Sequence, residues 1–229
     1  MSRVFLRSVR AFGMTTTTTT TIRDANTVLV ALEDIDESEE LFAIPHSIIL
    51  NLHNSELRQH IPEELASLDP WLSLVLVVMY EFSKRQASRW WPYLEILPSQ
   101  FDTLIYWSRL ELAELQASAV VSKIGKKEAD KAFIETLLPL AIQHAGLFGE
   151  FAIQLNTANP QDFFLELAHR MATTVMAYAF DLEKVCRPED ADEEGFLSDD
   201  EDDPPKGMVP LADLLNAEAE RNNVSVWRG

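Results

Sequence analysis

Cysteine is nearly absent from this sequence: among 229 residues only Cys186 carries a thiol. A single cysteine excludes an internal disulfide framework and makes a reducing compartment the default. Glycine is scarce as well, seven residues where a share of about 7% is usual. They never fall as GxGxxG or GxxxxGK, which excludes a Rossmann fingerprint and a phosphate loop, and GxSxG and HExxH are missing too. The five histidines (His46, His53, His60, His144 and His169) include no pair with zinc-ligand spacing, so no metal site is expected. No apolar run reaches the ~18 residues of a membrane span. Positive charge is also in deficit: 19 Lys and Arg against 37 Asp and Glu leave a formal net charge of −18. A phosphate backbone is repelled by such a chain on average. Nucleic acid and membrane are poor partners, and a basic protein is a better one.

What is present organises into five stretches. Residues 1–22 form a basic, Thr-rich leader that is expected to be disordered. The first 23 residues hold no acid, and in a helix Arg3, Arg7 and Arg10 would oppose Phe5, Val9 and Phe12, the pattern of a mitochondrial presequence. Seven threonines, Thr15 to Thr21, follow as a low-complexity tract, so the leader is either a targeting segment or unrelated to the fold. Within residues 23–60, "TVLVAL" (27–32) and "ELFAIP" (40–45) are rich in β-formers and flank the polar turn "EDIDESE". They predict an antiparallel pair ended by Pro45.

From 61 to 182 the period is helical. "DPWLSLVLVVMYEF" offers Asp69 as N-cap and Pro70 at the first helical position, then runs apolar nearly all round, which predicts a helix buried on most faces. Ser108 and Glu111 have capping-box spacing. Val121, Ile124, Phe133, Leu137 and Leu140 form a second stripe. A third helix, with Asn159, Pro160 and Asp162 at its start, carries Leu167, Met171, Val175, Tyr178 and Leu182 on one face. Residues 183–206 are then predicted to be an acidic disordered loop. Positions 183 to 203 hold 11 acids and two bases, too little apolar surface to offset the entropy of ordering. Ser198, before "DDEDD", suits an acid-directed kinase. Hydrophobic pattern returns in 207–229, with "MVPLADLLN".

Few polar residues stand out as chemistry. His169 is either a general base or, since the sequence pairs it with no nucleophile or carboxylate, a half-exposed helical histidine. Trp71, Trp90, Trp91 and Trp107 are core residues or a stacking wall for a base or a methylated lysine. Tyr178 lies on an apolar stripe, where a buried hydroxyl needs a partner, either within the structure or in a ligand. Asn216 ends an apolar segment, and its carboxamide serves an amino-acid-like ligand or its own turn.

In chain order, "VALEDIDESEELFAIPHSIIL", "PWLSLVLVVMYE", "SRWWPYLEILPSQFDTLIYWS", "LAELQAS", "HRMATTVMAYAFD" and "MVPLADLLNAEAERNNV" resemble the SET-domain protein-lysine methyltransferases of the Rubisco large-subunit and ribosomal type. "WPYLEILP", "MAYAFD", the acidic loop and "PLADLLNA" point to the ribosomal-protein branch, especially its fungal members. The likeness covers about residues 27 to 226. It implies an α+β fold, an incomplete β-rich SET core with strands near 27–45 and after 206, interrupted by a large helical insert. It implies S-adenosyl-L-methionine as cofactor and a basic protein substrate, a ribosomal protein, located in nucleus or cytoplasm, or in mitochondria if the leader is a targeting segment.

Position by position, Asn216 matches the family's cofactor-binding Asn. Ala217 stands where the family has His and contributes its backbone. Tyr178 matches a site of Arg or Tyr near the cofactor, and Asp213 a recurrent acid of the motif. Two departures follow from the same likeness. The family's Gly-rich loop, which needs close backbone approach to the cofactor, corresponds here to "IRDANTVLV", without glycine. The segment with the catalytic tyrosines would lie past Gly229, so no catalytic residue is assigned and the chain is expected to be an inactive partial form. A non-catalytic module that holds a basic protein is the alternative.

Overall fold

The structure, a computed structural model, describes residues 2–5, 41–116, 118–182, 204–215 and 227–228. The chain divides into two compact units, Met1–Asn54 together with Tyr178–Gly229, and the contiguous segment Ser55–Ala177.

The first unit is built on antiparallel strands. β1 (Ser2–Phe5) lies between β2 (Leu41–Ile44) and β6 (Trp227–Arg228), in register from Ser2 opposite Ile44 to Phe5 opposite Leu41. The predicted strand over 40–45 is thus present as β2, but its partner is β1, inside the leader expected to lack structure. The proposed partner at 27–32 lies outside the described residues. Val4 and Phe5 favour extended backbone, and pairing with β2 satisfies backbone groups of β1.

A second sheet has the order β3–β5–β4, with β5 (Lys206–Met208) in the middle, β3 (Leu50–Asn51) on one side and β4 (Ala179–Asp181) on the other. Ile44, Ile49, Val209 and Ala212 are buried beneath it, with Phe42, Ile48, Phe180 and Leu182 packed against them. Gly207 fits the centre of this sheet because it has no side chain: a Cβ there would come within 2.7 Å of Leu182 Cδ1 and 3.2 Å of Asn51 Cβ. Asn54 closes the loop after β3, donating through Nδ2 to the carbonyls of His46 (2.7 Å) and Ile49 (2.9 Å).

The second unit is helical: α1 (Leu57–His60), α2 (Pro62–Ala66), α3 (Pro70–Ser83), α4 (Trp91–Leu94), α5 (Arg109–Glu114), α6 (Lys126–Ala132), α7 (Leu138–Gln143), α8 (Ala152–Leu155) and α9, which begins here and ends at Tyr178 (Gln161–Tyr178). Two caps read from the sequence are in place. Asp69 Oδ1 accepts from the amides of Trp71 (2.9 Å) and Leu72 (3.0 Å), and Ser108 with Glu111 forms the reciprocal capping box. α3 is buried from Leu72 to Ser83, the all-round burial that its composition predicts.

Elsewhere the helical reading needs correction. The stripe from Val121 to Leu140 is interrupted by Gly125 at φ 70°, which caps α6 and leaves Val121 exposed, while Phe133 and Leu137 are fully buried. Phe133–Leu137 is a π turn in which the Leu138 amide donates to the Phe133 carbonyl. Pro139 explains it, because a proline cannot donate to the carbonyl four residues back and its ring crowds that oxygen. α9 stops at Tyr178 instead of reaching Leu182: Phe180 and Leu182 leave the helix to pack in the sheet cluster. The acidic stretch 183–203 lies outside the described residues. Among those described, no helix is long and apolar enough to cross a membrane.

One polar group organises α3. Glu81, with none of its surface exposed, accepts from Ser55 Oγ at 2.8 Å and from Ser88 Oγ at 2.7 Å. Lys84 Nζ lies 3.4 Å from the same carboxylate and 2.8 Å from Glu56. Burial disfavours the Lys84 ammonium, but the bond to Glu56 and the charge of Glu81 outweigh it and hold its pKa above the ordinary lysine value. Removing Glu81 strands the two serines and the lysine, so Glu81→Ala is expected to cost about 3–5 kcal/mol in urea unfolding. Gly149, at φ 43°, lies so close to the Ser83 carbonyl that a Cβ would collide with it. Gly149→Ala should destabilise the helical unit by about 2 kcal/mol or more, read as a lowered urea midpoint at unchanged slope.

Candidate functional site

The sequence placed candidate chemistry at Tyr178 and in "PLADLLNA", and the first unit brings the described part of these together. Leu167, Met171 and Val175 are buried along α9, and Tyr178 continues that face as the last helical residue, half-buried. The chain passes from it straight into β4, whose register sets Ala179 opposite Met208 and Phe180 opposite Gly207. After β5 the buried run Met208–Val209–Pro210 leads to a 3-10 turn at Ala212–Leu214.

Leu211 starts that turn at φ 76° and ψ −37°, a backbone region that a leucine enters only at a cost of about 1–3 kcal/mol. The amides of Ala212 and Leu214 donate to the carbonyls of Val209 (3.1 Å) and Leu211 (3.2 Å), and these bonds help to hold the strained residue. Asp213, with a buried Oδ1, lies in this turn and acts electrostatically on Tyr178. Burial pushes the Tyr178 phenol above its ordinary pKa, and the Asp213 charge pushes it further the same way.

A neutral phenol and a carboxylate at the mouth of a strand–turn connection offer a donor, an acceptor and one negative charge. That set favours a ligand carrying a cationic group with hydrogen-bonding capacity nearby. Asn216 and Ala217 come directly after the last residue of this described stretch, Leu215, and lie outside the described residues. The strained Leu211 is a feature that no propensity argument indicates, since leucine is among the residues least suited to that conformation.

The other candidates resolve differently. His169 is not half-exposed: it is 6% exposed, Nε2 bonds to Asp130 Oδ1, and its ring meets Phe133 edge-on at 5.1 Å. The carboxylate partner is 39 residues away in sequence, beyond any local pattern. Tyr106 OH bonds to the His169 carbonyl (3.0 Å) and to Thr173 Oγ1 (2.8 Å), so the nearest hydroxyls are engaged with one another. His169 is a satisfied helix–helix tie. Trp90 is buried and Trp71 stacks on Phe133 at 5.9 Å. Among the described residues no three His, Cys, Asp or Glu side chains converge as metal ligands.

The Asp213 carboxylate is expected to be what raises Tyr178 beyond the effect of burial. In Asp213→Asn the tyrosine should ionise at lower pH than in the parent chain. The measurement is the ultraviolet phenolate titration, with the matching Tyr178→Phe curve subtracted in each background; an unchanged midpoint would separate the two groups.

No family model matches the sequence. Over 208 residues it is 33% identical to ribosomal lysine N-methyltransferase 4 of Saccharomyces cerevisiae, covering 86% of this chain and 40% of that protein. It is 32% identical over 204 residues to N-lysine methyltransferase setd6 of Salmo salar, covering 85% of this chain and 40% of the relative. Among solved structures, the SET domain of LSMT bound to lysine and AdoHcy superposes with a TM-score of 0.64 at 23% identity, over 89% of this chain and 41% of that one. The chain therefore spans about two fifths of the length of these relatives. Sequence identity over more than four fifths of the chain and a shared fold lead to the same conclusion: the homologues of this chain are SET-domain lysine methyltransferases.

Proposed function

We propose that this sequence is part of an S-adenosyl-L-methionine-dependent protein-lysine N-methyltransferase that acts on a ribosomal protein. The observation that carries the reading is 33% identity across 86% of the chain to a ribosomal lysine N-methyltransferase. The site chemistry fits the cofactor. Asp213 supplies a negative charge for a cationic ligand and Tyr178 a neutral hydroxyl donor. Asn216 would add a carboxamide and Ala217 a backbone group. When bound, the cofactor would supply an electrophilic methyl group on a sulfonium. The chain's own residues bind and orient. Amine methylation needs no strong acid or base from the protein, only a neutral lysine aimed in line, so positioning carries the acceleration.

The finer part of the proposal is that these 229 residues alone transfer no methyl group. Its support is the stretch Ile22–Val30, which contains no glycine where a loop hugging the cofactor needs close backbone approach. A basic substrate suits the net charge of −18, which attracts lysine-rich segments at low ionic strength.

A second reading, a non-catalytic module that holds a basic protein, is favoured by one feature, the 11 acids between residues 183 and 203. One set of experiments tests both. Calorimetry of the purified chain with S-adenosylmethionine should give binding that Asn216→Ala weakens about tenfold, and labelled cofactor with ribosomal protein should leave incorporation at the no-enzyme blank. Absence of binding at millimolar cofactor would overturn the cofactor assignment, and incorporation above blank would overturn inactivity. Loss of a basic partner on deleting residues 183–203, without cofactor binding, would favour the module.

A further inference from the structure

In the helical unit, Phe82 at the end of α3 is buried, yet it carries two cations. The guanidinium carbon of Arg85 lies 4.5 Å from its ring centroid and that of Arg170 lies 4.8 Å from it. Arg85 also stands 5.1 Å from the Trp91 ring, and it is held at φ 51°, a region that few residues other than glycine occupy. Among the described residues one carboxylate reaches this pair: Glu150 binds Arg85 Nη2, and Glu150 is carried by the turn that starts at Gly149 against the Ser83 carbonyl.

Arg170 is placed differently. Its Nε is buried without a hydrogen-bond partner, and among the described residues no carboxylate comes within ion-pair distance of it. Burial pushes its pKa below the ordinary arginine value and the Arg85 charge adds to this; Tyr106 and Glu166 offset the two only in part. Two guanidiniums thus share one ring with, among the described residues, a single acid in contact. Charges drawn out of water are ordinarily paired.

We propose that Arg85 and Arg170 form a binding site for a carboxylate, such as an acidic side chain of a partner protein, which approaches from the solvent side and spans the two guanidiniums. With Glu150 already on Arg85, one positive charge of the pair is left to compensate, which suits a singly charged carboxylate better than a phosphate dianion. The flanking faces of Phe82 and Trp91 hold both forks in position, so little side-chain freedom remains to be lost on binding. The site lies wholly within Ser55–Ala177 and does not depend on the methyltransferase reading.

The test uses the full 229-residue chain labelled with nitrogen-15 and follows the arginine Nε–Hε signals by NMR. Acetate is titrated against chloride at constant ionic strength, and phosphate is titrated in a parallel arm. The signals of Arg85 and Arg170 should shift saturably with acetate, while that of Arg109 stays still. Arg170→Lys, which keeps the charge and removes the fork, should weaken acetate at least tenfold. Glu150→Gln, at an exposed position, should tighten it several-fold, and this arm stands even if the arginine variant folds poorly. No saturable shift, or equal affinity in all three proteins, would overturn the proposal. Phosphate binding tenfold tighter than acetate would overturn the carboxylate assignment and leave a phosphate site.

Discussion

A carboxylate at the heart of an apolar helix constrains much of what surrounds it. α3 is buried on every side, and each of its leucines and valines gains by leaving water. Glu81 in the same helix has none of its surface exposed, and it is tolerable there only because two serine hydroxyls and an ammonium converge on it. Those groups come from Ser55, the first residue of the helical unit, from Ser88 in the connection to α4, and from Lys84 just past the helix end. The start of the helical unit and the connection from α3 to α4 are therefore both placed by one charge. The same end of α3 also fixes where the Gly149 turn can lie, since that turn abuts the Ser83 carbonyl.

The second constraint is backbone strain at Leu211. A leucine at φ 76° persists because its neighbours over-determine it: buried Met208 and Val209 before it, buried Ala212 after it, and the bonds of the 3-10 turn around it. What the strain achieves is a change of direction that sets Asp213 towards Tyr178. Without the turn, the acid and the phenol would belong to unrelated parts of the chain, 35 positions apart in the sequence.

Features settled by neighbours within one helical turn were readable in advance. The Asp69 cap, the Ser108–Glu111 box and the buried character of α3 each depend on residues at most four apart or on plain composition. Features that depend on a distant partner were not. The strand at 41–44 has the composition of a strand, yet its neighbour is chosen by pairing with Ser2–Phe5. The helical period runs on to Leu182, but Phe180 and Leu182 gain more in a cluster with Ile44 and Ile49 than on a helix face. His169 reads as lone because Asp130 lies on another helix. At the candidate site, residue types pointed to Tyr178 and to the segment after β5, whereas the strain that joins them has no signature in a leucine.

The order of strands in the second sheet carries a consequence for how the protein is made. Its middle strand, β5, comes last of the three in the chain, while its outer neighbour β3 is encoded before the whole helical unit. On the ribosome, β3 must wait without its hydrogen-bonding partner while more than a hundred residues are added, roughly ten seconds or more at ordinary elongation speeds. Ser55–Ala177 is contiguous and has no such delay. Vectorial synthesis thus favours a nascent chain in which the helices are already assembled when Lys206–Met208 emerges to close the sheet.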